Sequence, residues 1–262
     1  MGKLRLYLGI LFIRFSNFFY KLARFLCVCI LGPDDLIALT RHCYALPAYL
    51  KGYAGQNEAD FSLDETEKYF ANKYLTPGNR ILVMGCGGGR EAIALAKMGF
   101  EVTGVDIVPE CVKIARENTL KIHLKADFSC QDMSKLQLPK DKKIDCIMFS
   151  ALIYSLIPSR RKRIKVLKNL RTYLAPDGKI FLSFLFEKKI DRRHEGLKKL
   201  VARITLGNLA YESGDWVEGD GEFKHYFNKD QIESETSSSG FKLEEINLED
   251  PTDSFAVLGT CD

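Results

Sequence analysis

Along residues 80 to 260, short apolar runs alternate with stretches whose apolar side chains recur every three or four positions. The runs at 80–85, 101–105, 123–128, 144–150, 179–185, 241–247 and 254–260 read as strands. The helical period occupies 62–74, 90–98, 109–117, 159–174 and 193–205. Strand alternating with helix predicts parallel strands joined by crossover helices, an α/β Rossmann-like, doubly wound sheet. Only "EDPTD" separates the final two strands, so the last is expected to return antiparallel. Pro176-Asp177-Gly178 reads as a turn before the fifth strand, and "ETSSSG" at 235–240 as a polar loop.

The first 31 residues break this pattern. Charges at Arg5, Arg14, Lys21 and Arg24 interrupt every apolar run before it reaches the ~18 residues of a membrane span. The run between Arg5 and Arg14 is also short for a signal peptide, with no small-residue cleavage site after it. At 100° per residue, Arg14, Asn17, Lys21 and Arg24 share one narrow sector, and aromatic and aliphatic side chains fill most of the rest. That pattern predicts a basic amphipathic helix suited to an anionic membrane surface, or to packing on protein. Cys27 and Cys29 add thiols open to lipidation. Gly32-Pro33 ends the helix, and residues 32–60 carry mixed helical signals with Tyr44, Tyr49 and Tyr53, a cap in front of the sheet.

Charge separates the same way. The chain of 262 residues has a formal net charge of +4, of which residues 1–31 hold +5, leaving −1 for the rest. A neutral body argues against a nucleic-acid grip. "SRRKRIK" at 159–165 opens a helix and reads as a solvated basic face. The eight cysteines form no CxxC pair, so reduced core thiols are expected, without disulfide or metal, in a cytoplasmic protein peripheral to the membrane's cytoplasmic face.

Chemistry concentrates in "ILVMGCGGGREAIALAKMGFEVTGVD", residues 81–106. A strand runs into Gly85-Cys86-Gly87-Gly88-Gly89, a helix follows, and Asp106 closes the next strand about 20 residues on, where an acid meets ribose hydroxyls. Dinucleotide sites place a glycine where this chain has Arg90, which disfavours a nicotinamide oxidoreductase. S-adenosylmethionine, a nucleoside without a pyrophosphate, fits better.

The chain resembles the class I S-adenosylmethionine-dependent methyltransferases over roughly residues 60–260. "ILVMGCGGGRE" resembles the family's first motif, "EVTGVDI" its second and "FSCQDMSKL" the segment whose acid meets the adenine amino group. "KIDCIMFSALIYSLIP" and "LRTYLAPDGKIFLSF" resemble the segments that follow. The resemblance implies a methyltransferase domain over 61–262 that binds S-adenosylmethionine through Gly85, Cys86, Gly87, Gly89, Asp106, Ile107, Asp132, Met133 and Ser150. It departs at Val83, where the family often carries an acid that holds the methionine amino group through water.

Methyl transfer from a sulfonium needs alignment and exclusion of water, and a general base where the acceptor is a hydroxyl or an ammonium. "NLAYESGDWVEGDGEFKHYFNKDQI" resembles a substrate lid. His225 within it is the candidate base, and Tyr154, after the fourth strand, is placed to face the methyl group. The Asn/Asp-Pro-Pro-Tyr/Phe box of amino-methylating DNA enzymes and the Pro-Cys of cytosine-carbon enzymes are both missing. A small-molecule or lipid-like acceptor at a membrane surface is therefore expected; a non-catalytic S-adenosylmethionine-binding or membrane-tethered scaffold is the alternative.

Overall fold

A computed structural model of the chain describes residues 2–54, 60–139, 143–190, 192 and 194–260, with side chains from residue 10 onward. Seven strands form the central sheet: β1 (Arg80–Met84), β2 (Glu101–Asp106), β3 (Asp127–Cys130), β4 (Ile144–Phe149), β5 (Leu174–Phe184), β8 (Phe241–Asn247) and β9 (Ser254–Thr260). Their spatial order is β3-β2-β1-β4-β5-β9-β8. The first five pair in parallel, and β9 inserts antiparallel between β5 and β8. The order reverses between β1 and β4, which opens a crevice at the strands' carboxyl ends.

Helices α4 (Glu65–Tyr74), α5 (Arg90–Lys97) and α6 (Pro109–Lys121) cover one face, and α7 (Arg160–Arg171) and α9 (Lys229–Ser238) the other. Buried Ile81, Val83, Phe181 and Val257 belong to the first core layer, and Leu82, Met84, Ile180 and Leu258 to the second. That is the period-two alternation of a sheet covered on both sides.

Four elements differ from the sequence pattern. β3 starts at Asp127 rather than at 123, because His123 takes a left-handed turn (φ 54°) after α6. β5 runs through Pro176-Asp177-Gly178 from Leu174, with a register shift opposite Ile144 and Cys146, where a free turn was expected. α9 covers the serine-rich stretch read as a loop. It is started by a reciprocal cap between Asn228 and Gln231, a signal that outweighs the weak helix propensity of "ETSS". A small antiparallel hairpin, β6 (Asp215–Val217) and β7 (Phe223–His225), follows α8 (Glu195–Thr205).

α1 (Gly2–Ile30), α2 (Pro33–Tyr44) and α3 (Pro47–Tyr53) precede the sheet. Only the end of α1 is seated. Val28 joins Leu36 of α2 with Tyr211, Val217 and Phe223 in a third apolar cluster. Arg24 donates to the Val217 carbonyl at 2.6 Å and to Glu218 at 2.9 Å, and lies over the Trp216 ring. Cys29 is buried and Cys27 half-buried, so neither is the open lipidation thiol that the sequence offered. From Ile10 to Ala23 nearly every side chain is exposed, Phe12, Phe15, Phe18 and Phe19 among them. No helix among the described residues is long and apolar enough to cross a membrane.

Candidate functional site: a cavity over the glycine loop

The crevice at the reversal point holds a cavity. Its floor is the loop from Gly85 to Gly88, and its sides are Asp106–Val108 after β2, Asp132–Ser134 after β3 and Ala151, Ile153, Leu156 and Ile157 after β4. Ile37, Thr40, Arg41 and Tyr44 of α2, with Tyr53 of α3, close it from above.

The loop needs its glycines for two reasons. Gly85, Gly87 and Gly89 all sit in the left-handed region, at φ 67°, 50° and 91°. Gly88 has an ordinary φ but no room: a Cβ there would stand 2.7 Å from Cβ of Tyr53. The cap therefore presses on bare backbone. Asp106 fastens the loop to β2, one oxygen accepting from the Gly87 amide at 2.9 Å and the other from Val108 at 2.8 Å. Burial raises its carboxyl above the ordinary value, against the pull of those amides. Asp132 accepts from the Ser134 amide at 2.8 Å, in an Asx turn that points Met133 at the cavity wall.

Arg90 opens α5 and also reaches the wall. Its guanidinium donates to both oxygens of Glu67 at 2.9 and 2.8 Å, to Glu91 at 2.7 Å and to the Ser62 carbonyl at 2.8 Å. With both carboxylates ionised, the one cation between them leaves this cluster net negative. Such a wall repels a pyrophosphate and suits a sulfonium. The other walls fit a nucleoside: an acid at the tip of β2 for ribose hydroxyls, apolar Ile107 and Met133 for a flat base, Asp132 beside them.

A family model described as "Methyltransferase domain" matches residues 81–178. Over that stretch the chain is similar to the S-adenosylmethionine-dependent methyltransferases. Over 117 residues the chain is 31% identical to the ubiquinone biosynthesis O-methyltransferase of Xanthomonas campestris pv. campestris, covering 45% of this chain and 47% of that protein. The chain thus spans about half the length of the curated relatives it matches. Among solved structures it superposes on the 1,6-didemethyltoxoflavin-N1-methyltransferase of Burkholderia thailandensis with a TM-score of 0.64 at 14% identity, covering 89% of this chain and 92% of the other. An S-adenosylmethionine-dependent methyltransferase from Methanosarcina mazei gives a TM-score of 0.59 at 23% identity, covering 76% and 98%. At these identities the two structures speak for the fold alone.

Of the cofactor residues expected, Gly85, Cys86, Gly87, Asp106, Ile107, Asp132 and Met133 share the cavity wall. Gly89 and Ser150 stand off it. Gly89 starts α5 against Ala115 of α6, where a Cβ would meet the Ala115 Cβ at 3.2 Å. Ser150 is buried at the end of β4 with its hydroxyl unpartnered among the described residues.

Neither residue expected to act on the acceptor reaches the cavity. His225 is 0% exposed, its Nδ1 2.7 Å from Asp215 and its Nε2 3.2 Å from the Gln231 amide nitrogen, and its ring packs on Phe227. It joins the hairpin to α9. Tyr154 is 1% exposed, stacks on Phe227 and donates to Glu235 at 2.7 Å. Both pack on Phe227 in the core layer under α7 and α9, while Ile153 and Leu156 beside Tyr154 turn to the cavity.

Glu212, Asp215 and His225 present ligand atoms within 4.8 Å of one another. Their donors and acceptors are already engaged: Glu212 takes Arg163 at 2.9 Å, and Asp215 accepts from the Glu212 amide at 2.8 Å as well as facing His225. That chemistry is a hydrogen-bonded brace, not an ion site.

The sequence reading named the cap and the segment after β4, but not the residues by which they line the cavity, Ile37, Thr40, Arg41, Ile153, Leu156 and Ile157. After β4, Ala151 and Leu152 take left-handed conformations in succession, at φ 48° and 63°. Non-glycine residues held so are strained and concentrate at functional sites. No sequence signal marks this pair. The tyrosines of residues 32–60 were a signal for the cap.

Proposed function

We propose that the protein transfers a methyl group from S-adenosylmethionine to an apolar small molecule or lipid-like acceptor, working at the surface of an anionic membrane. The observation that carries the reading is the two-sided cavity. Its lower half is the glycine loop with Asp106 and Asp132. Its upper half carries apolar and aromatic side chains, Ile37, Tyr44, Tyr53, Ile153, Leu156 and Ile157, beside the polar Thr40 and Arg41. The bound donor supplies a methyl carbon activated by its sulfonium. The protein's part is then positional: Asp106 and Asp132 orient the nucleoside, Tyr53 presses the cap onto the loop, and the apolar upper wall aligns the acceptor while excluding water. The relatives' name, an O-methyltransferase in ubiquinone biosynthesis, supports an oxygen on a lipid-soluble acceptor.

The membrane part rests on exposed apolar surface. Phe12, Phe15, Phe18 and Phe19 stand out from α1, and Leu197, Leu200 and Ile204 from α8, which packs on the same helix. Arg14 and Lys21 lie among the former, as in an interfacial helix.

Calorimetry with S-adenosylmethionine and S-adenosylhomocysteine tests the donor. A screen for S-adenosylhomocysteine release over phenol, quinol and lipid pools in vesicles then tests transfer. Binding without release across all pools would favour a tethered scaffold, and no binding would remove the donor assignment. Replacing Phe12, Phe15 and Phe19 together by serine is expected to abolish pelleting with phosphatidylglycerol vesicles while leaving donor affinity unchanged; undiminished pelleting refutes the membrane role.

A further inference from the structure

The negative end of the cavity has a chemical consequence. Glu67 and Glu91 are 1% and 6% exposed, on different helices, and share the single guanidinium of Arg90. Glu67 is held in place by its own local structure. It caps the start of α4 through the Asp64 amide at 2.9 Å and takes both arms of Arg90. Glu91 is different: it receives one guanidinium bond, and it is the carboxylate of the pair that lines the cavity. Burial raises the carboxyl of each above its ordinary value, which is what an uncompensated buried negative charge does. A cation entering from the cavity side would supply the missing countercharge. Val83, on the strand beneath the loop, is buried and apolar and offers no competing acid.

We infer that Glu91 receives the α-ammonium of the methyl donor's amino-acid end, completing a buried set of two carboxylates and two cations with Arg90 and Glu67. This rests on the donor assignment made above. An ammonium seated against Glu91 brings the set to neutrality and adds a charge-assisted bond to a carboxylate that takes one from the guanidinium. Arg90 is thereby an orienting group: it holds the Glu91 carboxylate and is itself fixed by Glu67.

The test compares two ligands on two proteins by calorimetry: S-adenosylhomocysteine, and its analogue with hydrogen in place of the α-amino group. The wild type is expected to prefer the amino-bearing ligand by about 10- to 100-fold, the range of a charge-assisted hydrogen bond. Glu91→Gln preserves shape and the bond from Arg90 while removing the charge. It is expected to bind the deaminated analogue as the wild type does and to lose most of the preference. A preference that survives in Glu91→Gln overturns the inference, and so does equal weakening toward both ligands, the mark of a purely structural role. Should the variant not fold, the wild type alone decides: equal affinity for the two ligands overturns the inference. Failure of the wild type to bind either ligand would instead strike the donor assignment.

Discussion

Arg163 is the most exacting place to test the energetics of this fold. It is 0% exposed, donates to Glu235 from Nε at 2.9 Å and from a terminal nitrogen at 2.7 Å, and reaches Glu212 at 2.9 Å and the Ile157 carbonyl at 3.1 Å. Its guanidinium also faces the Phe227 ring at 4.9 Å. Glu235 is as deeply buried, and its remaining partner is the Tyr154 hydroxyl at 2.7 Å. Arg163→Met fills the volume but strands the Glu235 carboxylate. Breaking one side of such a pair costs about 3–5 kcal/mol, a fifth or more of a typical domain's ~5–15 kcal/mol. The penalty belongs to the orphaned charge, not to lost attraction. Adding Glu235→Leu and Tyr154→Phe should therefore restore stability to within about 1 kcal/mol of the wild type. Urea unfolding followed by circular dichroism, with slopes compared across variants, reads this directly. A single substitution costing under about 1 kcal/mol, or a triple variant as unstable as the single one, refutes the reasoning.

Three further outcomes are expected. Gly88→Ala drives a methyl into Tyr53 and should weaken S-adenosylhomocysteine binding or lower stability by about 1–3 kcal/mol; Tyr53→Ala in the same chain should relieve most of it, measured by calorimetry and thermal melting. His225→Ala removes a buried partner of Asp215 and should lower stability by about 1–3 kcal/mol, yet leave the pH profile of kcat unchanged; loss of an ionisation from that profile would return His225 to the chemistry. The raised carboxyls of Glu67 and Glu91 bind protons above the ordinary carboxylate range, and a ligand ammonium beside them drives those protons off. S-adenosylhomocysteine affinity should thus rise from mildly acidic to neutral buffer with proton release, and Glu91→Gln should flatten the rise.

What the sequence disclosed follows from where backbone and side-chain pattern carry the information alone. The glycine loop and Asp106 are local: a strand, a run without Cβ atoms and an acid at the next strand's tip leave few other geometries. The seven sheet strands could be found because two covered faces demand near-continuous apolar runs. Arg163 could not. In "SRRKRIK" four cations in a row look alike, and only the approach of α9 separates Arg163, facing Glu235, from Arg160, which reaches Ser234 and Ser238 at the rim. α9 itself was hidden by serines that its Asn228 cap and the buried Ile232 outweigh. His225 misled for a related reason. An imidazole beside aromatics looks alike over a crevice or beneath it, and the three-residue strands that settle the matter are too short to show a period.

The seat of α1 bears on how the protein is handled. Val28 and Leu36 rest on the same hairpin, and α2, one turn past Leu36, roofs the cavity with Thr40 and Tyr44. Cutting the chain after the first helix to gain solubility would uncover Tyr211, Val217 and Phe223 and loosen that roof at once. An inactive trimmed protein would then say nothing about lipids. Shaving the greasy tip by point changes, with the root left in its socket, keeps the two effects apart.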